Sequence, residues 1–294
     1  MLQALAPAKV NLCLHVGPVD PSGYHPLVSL VAFADVGDRL TIERADRLSL
    51  TITGPFGGAL GEDPDNLVLR ALRRLGEAAG IGEPRLRVVL DKRLPIAAGL
   101  GGGSSDAGAA IRLAVQLLSL DLDEAALDDV AFGIGADGPM CLHARSGWAE
   151  GRGDVLTPAP WLPPLHAVLV NPGAPSPTGA VYRAYDAAPA LLDARPVDPQ
   201  DRSAANVIDW LAGLRNDLQA PAVGLTPAIG LALDAVAALP GARLTRMSGS
   251  GATVFALFDD PDTASAAAAR IAADHGDWWV QPTNLGADEA PAKL

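Results

Sequence analysis

The run Leu94-Pro95-Ile96-Ala97-Ala98-Gly99-Leu100-Gly101-Gly102-Gly103-Ser104-Ser105-Asp106 constrains this chain more than any other segment. Its glycines allow tight backbone turns and expose N–H groups, because no Cβ blocks positive φ or the approach of a ligand. An alanine-rich apolar stretch follows without a break and reads as a helix. A helix starting there adds unpaired N–H groups and the positive end of its dipole, so the segment predicts an anion site with phosphate as the natural occupant. It is not a Gly-x-x-x-x-Gly-Lys-Ser/Thr loop. Nor is it Gly-x-Gly-x-x-Gly, because Ser104 stands where the third glycine belongs. A flexible linker would not run straight into an apolar helix.

A phosphate site sits oddly in a chain whose 34 acidic residues outnumber its 22 basic ones, for a net charge of −12. That balance argues against nucleic-acid binding, which needs a basic face. It also means that anion binding must be local, through backbone N–H groups, magnesium and a few lysines. Lys9, Lys92 and Arg93 are the candidates, since charges beyond about 8–10 Å are screened. At 294 residues, 49% hydrophobic and 19% charged, the chain is expected to fold as about two globular domains. No apolar run approaches the ~20 residues of a membrane span, and the N-terminus lacks the features of a secretory signal. With only Cys13 and Cys141, both read as small buried hydrophobes, a cytoplasmic location is expected.

The residue pattern predicts strands at 10–16, 39–44, 48–53, 85–91, 166–170 and 253–258, with a short one at 278–280. Helices are predicted at 67–79, capped by Asp65-Asn66 and closed at Gly80, and at 104–118, 123–134, 203–214, 226–239 and 262–273. The tail 282–294 reads as loosely ordered. The proline-rich stretch 157–164 is the expected domain boundary. The fold class is α+β, in two halves of mixed or antiparallel sheet packed with helices, 1–156 and 157–294.

Three other segments could carry chemistry. In Pro7-Ala8-Lys9-Val10-Asn11-Leu12, Lys9 and Asn11 share one face of a strand. In Gly135-Ala136-Asp137-Gly138-Pro139 an acid is held between glycines after a helix. Met247-Ser248-Gly249-Ser250-Gly251 is a second glycine-rich turn. Singly, each is also ordinary strand-face or turn chemistry. Together, in this order, they resemble the GHMP small-molecule kinases. Further matching segments are Gly23-Tyr24-His25, Asp65-Asn66-Leu67, Asp91-Lys92-Arg93-Leu94-Pro95 and Asn216-Asp217-Leu218, and the resemblance runs from about residue 6 to 258. Within the family the match is to members acting on a cytidyl diphospho-alcohol.

The resemblance implies an ATP-dependent kinase with its active site in a cleft between the two domains. Asp137 would be the general base for the acceptor's 2-hydroxyl, with Lys9 as its partner. Pro95, Ile96, Ala97, Ala98, Gly99, Leu100, Gly101, Gly102, Gly103, Ser104 and Ser105 would wrap the phosphates, while Asn66 and Lys92 border the base and ribose. Ser105 is the candidate to reach Mg2+. Tyr24 and Tyr182 would sandwich the cytosine, His25 would read its edge, and Asn11 and Thr178 would complete the substrate site. ATP and the cytidyl compound are the expected partners, with no nucleic acid or membrane, in a monomer or weak homodimer. Other alcohols of the family, or a non-catalytic nucleotide binder, remain alternatives. Two departures stand out: Ala97-Ala98 where further glycines are usual, and Gly138 where a larger residue is expected.

Overall fold

In this computed structural model, residues 1–60 and 65–286 are described. The elements run β1 (Leu2–Asn11), β2 (His15–Val16), β3 (Leu27–Arg44), β4 (Ser49–Thr53), α1 (Leu67–Ala78), β5 (Leu86–Asp91), α2 (Gly102–Leu118), α3 (Glu124–Phe132), α4 (Gly138–His143), β6 (Gly147–Gly151) and β7 (Val155–Pro158) in the first half. The second half follows with β8 (Leu165–Asn171), α5 (Thr178–Tyr185), α6 (Ala204–Ala212), α7 (Gln219–Leu225), α8 (Pro227–Ala237), β9 (Leu244–Met247), β10 (Val254–Phe258), α9 (Pro261–Asp274) and β11 (Trp279–Leu285).

The long strand β3 organises the first half, pairing antiparallel with β1, β2, β5 and β6, while β4 joins β5 in parallel. In the second half β8 lies between β10 and β11, and β9 pairs with β10, all antiparallel. The halves meet where Leu285 of β11 pairs with Ala34 of β3. One core lies between the first sheet and α1–α3, around Leu40, Leu72, Leu86 and Ile111. Another lies between the second sheet and α5, α8 and α9, around Val168, Ile229 and Phe258. Leu14 and Val16, from the N-terminal end of the chain, pack into that second core.

Three expectations change. The boundary at 156/157 falls inside β7, which pairs with β6 in the first sheet, so the crossing follows Pro158. The strand expected at 10–16 is broken by Leu12, Cys13 and Leu14, and its main part lies earlier, in β1. Residues 282–285 of the expected loose tail are the end of β11, whereas 287–294 lie outside the described residues. Among the described residues no single helix is long and apolar enough to cross a membrane.

His15 is buried, and neither ring nitrogen has a hydrogen-bond partner. Burial, helped by the Arg215 guanidinium, holds its pKa below the ordinary 6.5. The unfolded chain therefore takes up a proton near pH 6.5 that the folded protein refuses until lower pH. This contribution to stability is complete above that value and lost as pH falls through it. The urea midpoint is expected to drop less between pH 7.5 and 5 in His15→Leu than in the wild type. An equal drop would assign the acid sensitivity to other groups.

Candidate active site

Helix α2 starts without a side-chain cap. Its N-cap, Gly101, is left-handed at φ 60°, and a Cβ there would lie 2.9 Å from Lys9 Cε. The glycine thus supplies both the turn and the room for the lysine stem. Gly102, Gly103 and Ser104 form the first turn, whose N–H groups have no intrahelical acceptor, so the helix end is an anion cradle. It opens into a cleft of about 720 Å³ lined by both halves. The loop before it is held from behind. Lys9 N–H donates to Leu100 O (2.8 Å), Thr253 N–H to Ala98 O (3.1 Å), and Ser248 Oγ to Gly99 O (2.9 Å). Asn11 N–H donates to the same Ser248 Oγ (3.1 Å). The two glycine-rich segments are so close that a Cβ on Gly99 would lie 2.3 Å from Ser248 O.

Lys9, Asn11, Asn66, Lys92, Pro95, Ile96, Ala97, Ala98, Gly99, Gly101, Gly102, Gly103, Ser104, Asp137, Thr178 and Tyr182 all line the cleft. Asp137 sits at the N-cap of α4, and its Oδ1 accepts from Ser104 Oγ at 2.8 Å. Lys9 Nζ is 3.3 Å from Asn11 Oδ1, and no ion pair joins it to Asp137 among the described residues. The two groups share the cleft without touching. Asn66 caps α1 through Val68 N–H (2.9 Å), and Thr178 Oγ1 lies 2.8 Å from Ser250 Oγ.

Leu100, Ser105, Tyr24 and His25 are placed differently from expectation. Leu100, between two left-handed glycines, turns its side chain into the core. Helix α2 begins two residues before the predicted start, and on it Ser105 faces inward to the Cys141 thiol while Ser104 faces the cleft. Tyr24 is 51% exposed beneath the Arg152 guanidinium (4.3 Å), not opposite Tyr182. His25 instead rests its own ring on Tyr182, with centroids 4.9 Å apart.

Lys92 reaches the cleft only from below. Its ammonium is buried between Asp38 Oδ2 and Asp106 Oδ2, 2.6 Å from each. Asp38 Oδ1 also accepts from the N–H groups of Arg93 (2.5 Å) and Leu94 (2.8 Å), tying β3 to the base of the loop. Desolvation opposes the charge on Lys92, but the attraction of Asp106 and Asp38 outweighs it, and the ammonium is held above its ordinary pKa. Burial raises the Asp106 carboxyl well above the usual carboxylate range. Sequence reading missed Asp38 and Asp106; Asp106, directly after the serines, carried the only local signal.

Of the departures, Gly138 has a steric explanation and Ala97 has none. A Cβ at Gly138 would lie 2.0 Å from Ala131 O, so no larger residue fits there. Ala97 takes the left-handed φ of 51° that a glycine would adopt more easily. Cys13 and Cys141 are buried and free, and burial pushes their thiols up to about 11 and about 12.

Comparison with known proteins agrees with this architecture. Residues 66–145 match the GHMP kinases N terminal domain and residues 201–277 the GHMP kinases C terminal. The 4-diphosphocytidyl-2-C-methyl-D-erythritol kinase of Caulobacter sp. (strain K31) is 56% identical over 288 residues, 97% of this chain and 98% of that protein. The chain belongs to the GHMP kinases, in the 4-diphosphocytidyl-2-C-methyl-D-erythritol kinase family. The namesake from Methylobacterium radiotolerans is 51% identical over 97% of this chain and 99% of its own. A crystal structure of 4-(cytidine 5'-diphospho)-2C-methyl-D-erythritol kinase superposes with a TM-score of 0.77 at 37% identity, over 98% of this chain and 100% of the other. L. major mevalonate kinase shares the GHMP fold, with a TM-score of 0.64 at 16% identity over 97% and 96% of the two chains. As a GHMP kinase the protein is an ATP-dependent small-molecule kinase.

Removing Lys92 from this GHMP kinase would leave two buried carboxyl groups without their cation. Lys92→Met is expected to cost about 3–5 kcal/mol in urea unfolding. A variant that lost ATP affinity at unchanged stability would show that Lys92 serves the nucleotide and not the fold.

Proposed function

We propose that this enzyme transfers the γ-phosphoryl group of ATP to the 2-hydroxyl of 4-diphosphocytidyl-2-C-methyl-D-erythritol, a step in the non-mevalonate route to isoprenoid precursors. The observation that carries the reading is the 56% identity, over 97% of the chain, to a relative named for that substrate. Asp137 is the base. Ser104 fixes its carboxylate beside the phosphate cradle, and it takes the hydroxyl proton as that oxygen attacks the γ-phosphorus and ADP departs in line. No phosphoenzyme forms. Lys9, its stem laid along Gly101, supplies positive charge across the cleft from Asp137. The N–H groups at the start of α2 hold the phosphate oxygens.

Magnesium enters with ATP as part of the substrate. Ser105, its expected protein ligand, does not fit the role because its oxygen is buried toward Cys141. The hydroxyls of Thr178 and Ser250 face the substrate's diphosphate, Tyr182 is the platform for its base, and Tyr24 supplies the second face.

Asp137→Asn is expected to lower kcat by about 10²-fold or more while ATP still binds. Near-wild-type turnover would remove Asp137 from the mechanism. The substrate is tested by an ADP-release assay with magnesium, offering the cytidyl alcohol beside homoserine and mevalonate, with ³¹P NMR of the product. A phosphomonoester formed from the cytidyl alcohol alone is expected. Turnover of either other alcohol instead would discard the base-binding part of the reading.

A further inference from the structure

The side-chain amide of Asn11 has one orientation, and a residue behind the cleft sets it. Strand β1 ends at Asn11, and the chain bends at Leu12. Beyond the bend, the Cys13 carbonyl accepts from Ser29 Oγ of β3 at 2.6 Å. A carbonyl has no hydrogen to give and a serine hydroxyl has only one, so Ser29 Oγ can meet a further partner only as an acceptor. That partner is Asn11, whose side chain reaches the same Oγ at 2.7 Å. The atom facing Ser29 must therefore be the donor, Nδ2. Oδ1 is left on the other side of the amide, 3.3 Å from Lys9 Nζ. Ser29 and Asn11 are both buried, and Ser29 does not line the cleft.

We propose that Ser29 is a positioning residue for phosphoryl transfer: by accepting from Asn11 Nδ2 it locks the amide so that Oδ1 holds the Lys9 ammonium in the cleft. The inference rests on the role given to Lys9 in the proposed function. Among the described residues, Asn11 Oδ1 is the one hydrogen-bond acceptor of Lys9 Nζ. The ammonium rides on a flexible four-carbon stem, so that single contact decides where its charge sits. Without the Ser29 hydroxyl, Nδ2 is left buried and unpaired, and nothing behind the amide distinguishes its two ends. A half-turn of the amide then aims Nδ2 at the ammonium. Two donors face each other, and the lysine moves away from the place where charge develops during transfer.

The test is a cycle of Ser29→Ala and Lys9→Met, read by single-turnover transfer from radiolabelled ATP to the cytidyl alcohol, which follows slow chemistry. Ser29→Ala alone is expected to slow transfer about tenfold, since small misplacements at a reacting centre are costly. KM for ATP and for the alcohol should stay within about twofold of wild type, and in the Lys9→Met background the same change should alter the rate by no more than about twofold. Ser29→Thr, which keeps the hydroxyl, is expected to transfer at close to the wild-type rate. If Ser29 served only the packing of β1 on β3, its loss would slow transfer by the same factor with or without Lys9, which overturns the inference alone. A wild-type rate in Ser29→Ala, or a Ser29→Thr enzyme as slow as Ser29→Ala, overturns it as well. A wild-type rate in Lys9→Met overturns the role of Lys9 and the inference with it.

Discussion

Ser248 is the junction on which the active-site geometry depends. Its hydroxyl accepts from Asn11 N–H in the first half and donates to Gly99 O in the phosphate loop, while the residue itself belongs to the turn between β9 and β10. One buried side chain thus connects three segments far apart in sequence. A glycine loop left to itself would sample many conformations, and ordering it on ATP would consume binding energy. Here the ordering is done by the fold. Asn216 extends the same principle: its Nδ2 donates to Met247 O and Gly249 O, both at 2.8 Å, holding the turn that holds the loop. Arg246, buried below, donates to the carbonyls of Leu12, Leu211 and Leu214 and fixes this turn against the end of β1.

The acidic surface and the anion site are reconciled by division of labour. Lys92, which looked in sequence like a phosphate-side cation, spends its charge on Asp38 and Asp106. That cluster ties the base of the loop to β3, and on the proposed function it leaves Lys9 and the backbone N–H groups of α2 to meet the nucleotide's charge. Backbone dipoles bring no counter-charge that must be desolvated, and they are fixed before the ligand arrives. A strongly negative protein can therefore bind a polyanion at one place without a basic face.

The parts of this site legible in the sequence are those whose chemistry is local. Left-handed glycines, the Asn66 cap and a helix start leave marks within a few residues. Where the reading erred, the deciding contact was distant or a matter of phase. Ser104 and Ser105 differ by about 100° around α2, and that rotation separates the Asp137 contact from the Cys141 contact. Asp38 lies 54 residues from Lys92, and nothing local to either announces the pair. Pro7 masked β1 because proline usually ends a strand, yet it sits beside the register shift between Pro7 and Lys9, where such a residue is tolerated. Pro282 hid the end of β11 in the same way: that strand meets β3 only at Leu285, so most of its second edge has no ladder to break.

The two ends of the proposed substrate site differ in how far they are built beforehand. At the phosphate end the backbone is locked through Ser248 and Thr253. At the base end Tyr182 is in place, but Tyr24 lies under Arg152, whose Nη2 also donates to Ser22 Oγ at 3.2 Å. An exposed cation–π contact contributes about 0.5–1 kcal/mol, whereas stacking a base on an aromatic ring contributes roughly 1–3 kcal/mol. The comparison favours moving Tyr24 from the guanidinium to a base lying on Tyr182. The short turn carrying it keeps its own hydrogen bonds, since Asp20 Oδ1 accepts from Ser22 N–H and Tyr24 N–H within the loop. On the proposed function, the ligand that would repay moving Tyr24 is one with a flat aromatic face. On this reading a small aliphatic alcohol would reach the same phosphate cradle but leave Tyr24 on Arg152, so selection for a nucleotide-linked acceptor follows from how the base end is built, while the chemistry at Asp137 is common to both.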